Sequence, residues 1–277
     1  MKLSQSTLIT FSPTLTSLSI GQKIQEGFDA DEAHVYDLTL GEKTLPTLND
    51  NAIAIFSVPV YGGFVAPLAL QRMEAIKGNN TPAVIVVVYG NRDYEKALTQ
   101  LEAFVIQRGF RVIAAATFIG EHSYSTANKP IATGRPDFTD LDEAHNFGCT
   151  IRNKAYSYSN AQLIPTIQAS KIQRPKQPLW PLLRFIFNVI KLRKSKRPMP
   201  TSPSVNEALC KHCGICAKNC PTQAITPLQE HLTMAERCIK CCACVKSCPH
   251  KARTFATPFA TLLSKHFTTR KTNQTLA

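Results

Sequence analysis

Cysteine is nearly missing from the first three-quarters of this 277-residue sequence. Cys149 stands alone before residue 210, and the other nine of the ten cysteines fall between Cys210 and Cys248. A disulfide framework for the whole chain is thereby excluded, while such local crowding points to local disulfides or to metal. The stretch Met1–Thr7 has no apolar run and no small-residue cleavage site, so nothing in it reads as a secretory signal. Thiols that stay reduced gather around metal, and the expected location is the cytoplasm. No G-x-G-x-x-G stretch occurs, which removes the support for direct use of NAD(P)H. Acidic residues are also few, at 19 against 32 Lys plus Arg, a formal net charge of +13. That balance suits an acidic redox partner, an anionic substrate or an anionic membrane surface, and with no fold signature for it nucleic acid is not expected as a partner. Oligomeric state is not legible in the sequence.

What is present begins with an alternation of strands and helices over residues 1–165. Leu8–Phe11, His34–Leu38, Ala52–Phe56, Ala83–Tyr89 and Arg111–Phe118 read as strands, the third and fourth apolar throughout, as strands buried on both faces should be. Helices are expected over Ser17–Phe28, Val65–Lys77, Asp93–Gln107 and Asp140 to about Asn160, with Asp93 as an N-cap and Gly109 closing its helix. The fold class expected is α/β: a doubly wound, parallel five-stranded sheet, followed by a small α+β cysteine domain. The boundaries expected are 1–165 for the sheet domain, 166–203 for a Pro- and Lys-rich linker with a short amphipathic helix, 204–253 for the cysteine domain and 254–277 for a tail. Within the linker, Arg184, Asn188 and Lys191 make one polar stripe on an otherwise apolar helix, followed by Arg193, Lys194, Lys196 and Arg197. The apolar run is too short to span a bilayer. It is a helix packed between domains or, through 182–197, a peripheral contact with anionic lipid.

The cysteines carry the sharpest signal. Residues 210–221 read C-K-H-C-G-I-C-A-K-N-C-P and residues 238–249 read C-I-K-C-C-A-C-V-K-S-C-P. Both fit C-x2-C-x2-C-x3-C-P, an internal duplication. Three cysteines at three-residue intervals wrap one [4Fe–4S] cube, and the fourth faces the other cube. Cys210, Cys213, Cys216 and Cys248 are therefore expected around one cluster, and Cys238, Cys241, Cys244 and Cys220 around the second. A four-cysteine zinc site would instead show two C-x2-C pairs. Cys242, beside the ligand Cys241, is expected to face away. Gly214 and Ala243 are small enough for backbone to approach a cluster, and Cys149 reads as a small buried apolar residue.

Three loops sit where the expected strands end: Phe11–Ser17, Val58–Gly63 and Tyr89–Tyr94. Hydroxyls and amides at a strand-to-helix turn make a phosphate cradle, and the C-terminal edge of such a sheet is where ligands bind. Ordinary Gly-containing turns are the plainer reading of the last two. With F-S-P-T, V-P-V-Y-G-G, V-V-Y-G-N-R-D-Y, F-I-G-E-H-S-Y-S, I-A-T-G-R-P-D and both cysteine motifs, the chain resembles the bacterial two-cluster ferredoxins that carry an N-terminal flavodoxin-like domain. The resemblance runs from residue 6 to about 252. It implies an FMN whose phosphate is held by Ser12, Thr14, Thr16 and Ser17 and whose ring lies between Pro59, Val60, Tyr61, Gly62 and Gly63 on one side and Gly90, Asn91, Arg92 and Tyr94 on the other. Leu15 departs from it: the flavodoxin phosphate loop has Gly there, and Leu would be strained at φ > 0. With two oxidised clusters and FMN bound, the net charge would still be about +7. Electron transfer between the clusters and FMN is the expected function. The alternatives are a flavin-dependent iron–sulfur reductase with His122 and Arg135 as candidate catalytic residues, and a non-catalytic redox sensor.

Overall fold

The structure is a computed structural model that describes residues 3–41, 43–195 and 198–277. The chain folds into two compact units that interleave along the sequence: Met1–Glu121 with Gly134–Pro175 and Lys271–Ala277, and His122–Thr133 with Lys176–Arg270.

The first unit is built on β1 (Gln5–Thr10), β2 (Glu32–Asp37), β3 (Ala52–Tyr61), β4 (Thr81–Tyr89) and β5 (Phe110–Ile119). They pair in parallel in the order β2-β1-β3-β4-β5, the flavodoxin-like order with its reversal point at β1 and β3. Every residue of β4 and Ala52–Ser57 of β3 are buried, which is why these read as unbroken apolar runs. Leu8, Ile55, Val84, Val86 and Phe118 pack on one face against α1 (Thr16–Phe28) and α4 (Phe138–Tyr156). Strand alternation turns Phe56 and Ile85 to the opposite face, served by α2 (Pro67–Arg72) and α3 (Ala97–Ile106).

Four expectations change here. The α2 region holds only six helical residues rather than a helix over 65–77. Asp93 does not cap α3, which starts at Ala97; its carboxylate accepts from the Glu95 amide and pairs with Arg174. Gly109 does follow the helix in the left-handed conformation. Helix α4 starts earlier than Asp140 because Asp137 caps it and exchanges reciprocal bonds with Asp140. The sheet also carries two short antiparallel strands, Phe64–Val65 on β3 and Gln274–Leu276 on β5, so the final residues are not merely a tail.

The second unit contains α5 (Leu179–Lys194), β6 (Ser204–Val205), α6 (Ile215–Lys218), α7 (Ala243–Lys246), β7 (Arg253–Thr254) and α8 (Pro258–His266). β6 and β7 pair antiparallel. Leu182 and Phe185 of α5 pack on Ile131, Leu263 and Phe267. The segment expected as a linker thus divides between the units at Pro175, and the expected tail contributes α8 to one and an edge strand to the other.

Candidate functional site: two rings of cysteine

The duplication in sequence is a duplication in backbone. In the first motif His212 and Gly214 have positive φ, and at the equivalent places of the second Lys240 and Cys242 do. Gly214 and Cys242 each precede a one-turn helix, α6 or α7, with φ of 74° and 59°. The partner of Gly214 is therefore Cys242 rather than Ala243. A left-handed residue is required at that corner, and the second motif meets the requirement with a non-glycine side chain. Further along, Gln223 and Lys251 are again both left-handed. The Ala224 amide donates to Cys220 Sγ at 3.2 Å and the Ala252 amide to Cys248 Sγ at 3.3 Å. The fourth cysteine of each motif is held by the same turn.

Two cavities result. Cys238, Cys241, Cys244 and Cys220 line one, and Cys210, Cys213, Cys216 and Cys248 line the other. Each ring takes three thiols from one motif and the fourth from the other. Among the described residues, no three His, Cys, Asp or Glu side chains gather around a point as ligands of a single ion. Thiols spaced around a volume fit a polynuclear cluster. Burial pushes the Cys241 thiol up to about 12 and, against the Arg253 guanidinium, Cys244 up to about 11. Coordination to a metal centre is what would bring such buried thiols to the thiolate form. Cys242 also borders the first cavity and is buried, but its Sγ contacts the Lys240 carbonyl at 3.7 Å.

Sequence reading alone passed over two neighbours. Arg253 is buried, donates to Cys244 Sγ at 3.5 Å, and bonds the Glu230 carbonyl and Thr233 hydroxyl at 2.8 Å each. Its signal was present: the first motif runs on as C-P-T-Q-A-I and the second as C-P-H-K-A-R. The loop His122–Thr133 also belongs to the cysteine unit. Its Tyr124 ring packs 5.2 Å from Phe255, its Ser125 carbonyl accepts from Lys246 Nζ, and burial, with Cys242, Cys238 and Cys241 nearby, raises the Tyr124 phenol to about 12.

At the sheet edge the expected flavin residues divide. Leu15 adopts φ 66°, its amide donating to the Ser12 carbonyl, so the loop has the left-handed corner that Gly would favour. Thr14 and Thr16 remain partly exposed. The Ser12 hydroxyl accepts from the Leu18 amide, and the Ser17 hydroxyl is buried without a partner among the described residues. Tyr61-Gly62-Gly63-Phe64 is a tight hairpin turn with both glycines at positive φ, and a side chain at Gly63 would strike Glu95. The Lys96 amide donates to the Gly63 carbonyl, and Arg92 pairs with Glu95, which brings the 59–63 and 90–94 loops together. Pro59, Val60 and Tyr61 are half-buried. Gly90 is half-buried as well, but Asn91 is buried and accepts from the Lys271 amide. Tyr94 is also buried, with its hydroxyl donating to the Ile172 carbonyl, so its ring is interior packing.

The two candidate catalytic residues fall in different units. His122 Nδ1 accepts from the Tyr124 amide. Arg135 is 6% exposed, forks onto Asp140, and donates to the Lys271 carbonyl and Asn273. It ties α4 to the C-terminal strand.

Residues 190–253 match the family model of the 4Fe-4S dicluster domain. No curated protein sequence matches the chain. Similar solved structures include a flavodoxin from the domain Archaea, at 12% identity and TM-score 0.38 over 55% of this chain and 99% of that one. The flavodiiron protein from Giardia intestinalis is similar at 15% identity and TM-score 0.35 over 56% of this chain and 37% of that one. An FMN-dependent NADH-azoreductase from Bacillus anthracis str. Ames Ancestor is similar at 10% and 0.35 over 55% and 98%. The strand order and the matched C-terminal region together define a flavodoxin-like α/β sheet joined to a ferredoxin-type iron–sulfur region.

Proposed function

We propose that the chain is an electron-transfer protein that holds two [4Fe–4S] clusters and one FMN. The observation that carries this reading is the pair of cavities, each ringed by four thiols drawn three and one from the two motifs. Bound there, the clusters would exchange single electrons, and FMN would add the capacity to take one or two. Cys210, Cys213, Cys216 and Cys248 hold one cluster; Cys238, Cys241, Cys244 and Cys220 hold the other. Cys242 shapes the corner before α7 and ligates nothing. For FMN the support is the reversal point of the sheet and a first loop with the left-handed corner at Leu15. Thr14, Thr16 and the loop amides are the groups open to a phosphate, while Ser12 organises the loop from within through Leu18. Tyr61 and the Gly62–Gly63 turn are the groups that would lie against the ring.

The test is cofactor content in protein purified without oxygen: about eight iron and eight sulfide per chain are expected. Added FMN should bind, and a one-electron donor should bleach it at a rate independent of protein concentration. Protein with eight iron that takes up no FMN overturns the flavin half. Protein with about four iron, or with zinc, overturns the cluster half.

A further inference from the structure

We propose that α5 is a membrane-surface helix that lays its outer face on anionic lipid. The inner face, Leu182 and Phe185, is already committed to α8 and Ile131. The outer face is apolar and still exposed: Leu179, Trp180, Leu183, Ile186, Phe187 and Ile190 are 64, 75, 46, 44, 67 and 47% accessible. At 100° per residue these six fall within one third of the helix circumference. The helix has no acidic residue, exposed Arg184, Lys191 and Arg193 flank the apolar strip, and exposed Lys194 ends it on the C-terminal side. Lysine and arginine stems can lie along such a strip with their charges at headgroup level. Lys265, beside Arg184 in the groove between α5 and α8, adds another cation. The charge pattern selects an anionic bilayer over an acidic protein, whose carboxylates would gain nothing from six exposed apolar side chains. Among the described residues no helix is long and apolar enough to cross a membrane, which leaves α5 in the plane of the surface. Lys196 and Arg197, which continue the basic run in sequence, lie outside the described residues.

Trp180 is the sole tryptophan of the chain, so its emission reports on this helix alone. The holoprotein should co-sediment with vesicles of phosphatidylcholine containing phosphatidylglycerol, with a blue shift of the Trp180 emission and little binding to pure phosphatidylcholine. Lys191→Glu with Lys194→Glu should weaken binding at least about tenfold. Phe187→Ser with Ile190→Ser should weaken it while leaving iron content unchanged. An unshifted Trp180 spectrum with anionic vesicles overturns the proposal. So does a shift that appears without lipid as protein concentration rises, which would assign the face to a second copy of the chain.

A second inference rests on Arg253 and on the proposed cluster binding. The two motifs share their left-handed corners and the amide-to-sulfur turn after the fourth cysteine, yet at the position where the first has Ile225 the second has Arg253. This buried guanidinium donates to Cys244 of one ring, lines the cavity of the other, and has an Nε with no acceptor among the described residues. We infer that Arg253 makes the two clusters unequal by holding positive charge on the Cys244 side and donating to it. Hydrogen bonds and charge at the sulfurs are known levers on cluster potential. Arg253→Lys should retain most of the inequality and Arg253→Met should remove it, moving the cluster ligated by Cys244 to a lower potential. Redox titration followed by electron paramagnetic resonance reads both clusters in each variant. Equal shifts of both clusters, or no shift with full iron content, overturn the inference. A parent protein that holds fewer than two clusters would instead count against the cluster reading itself.

Discussion

The sheet and the cysteine region are stabilised by different physics. In the sheet, Leu8, Ile20, Ile53, Ile55, Val84, Val86 and Phe118 are fully buried, a continuous apolar core of the kind that folds unaided. Across 204–253 the buried side chains are four cysteines, three alanines, Pro221, Glu230, Arg253 and one larger aliphatic, Ile225. That is too little apolar area to hold so many left-handed corners and short turns in place, and ligand bonds must do it. A core of hydrocarbon tolerates loss of any external group, whereas a core of thiolates fails with its iron.

The largest expected effect separates the two regions outright. Removing iron with a chelator under anaerobic conditions should abolish hydrogen-exchange protection across 204–253 and leave β1, β3, β4 and β5 protected. Equal survival of both regions would break the comparison. Next in size is the crossed ligation. Cys220→Ser should reduce iron from about eight to about four per chain, with the loss in the cluster of the 238–244 motif. Cys242→Ser should leave it at about eight, since Cys242 occupies the corner that Gly214 occupies in the other motif.

In the sheet, Ile55→Ala should cost about 2–5 kcal/mol in urea unfolding while iron content stays constant. A smaller effect follows pH. Burial pushes the Asp140 carboxyl up, but the hydrogen bonds from Arg135, Asn273 and the Asp137 amide and the Arg135 charge outweigh it, and its pKa is lowered overall. A depressed folded-state pKa contributes stability above the unfolded value and loses it as pH falls through the folded one. The urea midpoint of the sheet unit should therefore fall as pH drops through and below the ordinary carboxylate range, and Arg135→Met, which removes most of what lowers the Asp140 pKa, should lower the midpoint at neutral pH and flatten that decline. The smallest effect belongs to Leu15. Leu15→Gly relieves a left-handed β-carbon and should raise stability by up to about 1 kcal/mol. It should also strengthen FMN uptake if the loop cradles a phosphate. An unchanged urea midpoint would mean the loop relaxes around Leu15 without strain.

Much of the fold was legible because periodicity reports burial. The runs at 52–56 and 83–89 are apolar without interruption, and only strands covered on both faces need that. The cysteine spacing was equally plain, since three thiols per motif at three-residue intervals suit a cube and little else. The flavin loops were legible as loops but not as a site. Whether Tyr94 stacks on a ligand or packs inside depends on Ile172, 78 positions away, whose carbonyl takes its hydroxyl.

By itself the sequence determined the five parallel strands and the duplicated motif, both matters of local pattern. Tertiary structure alone decided what distant segments do: that residues 122–133 join the cysteine unit, that 274–276 close the sheet edge, that Arg135 is tied to Asp140 and Lys271, and that Arg253 reaches Cys244. The physical reason is the same in each case. A three-residue strand or a single buried arginine has no period of its own, and its place is fixed by whichever unpaired backbone or sulfur acceptor the folded chain leaves for it.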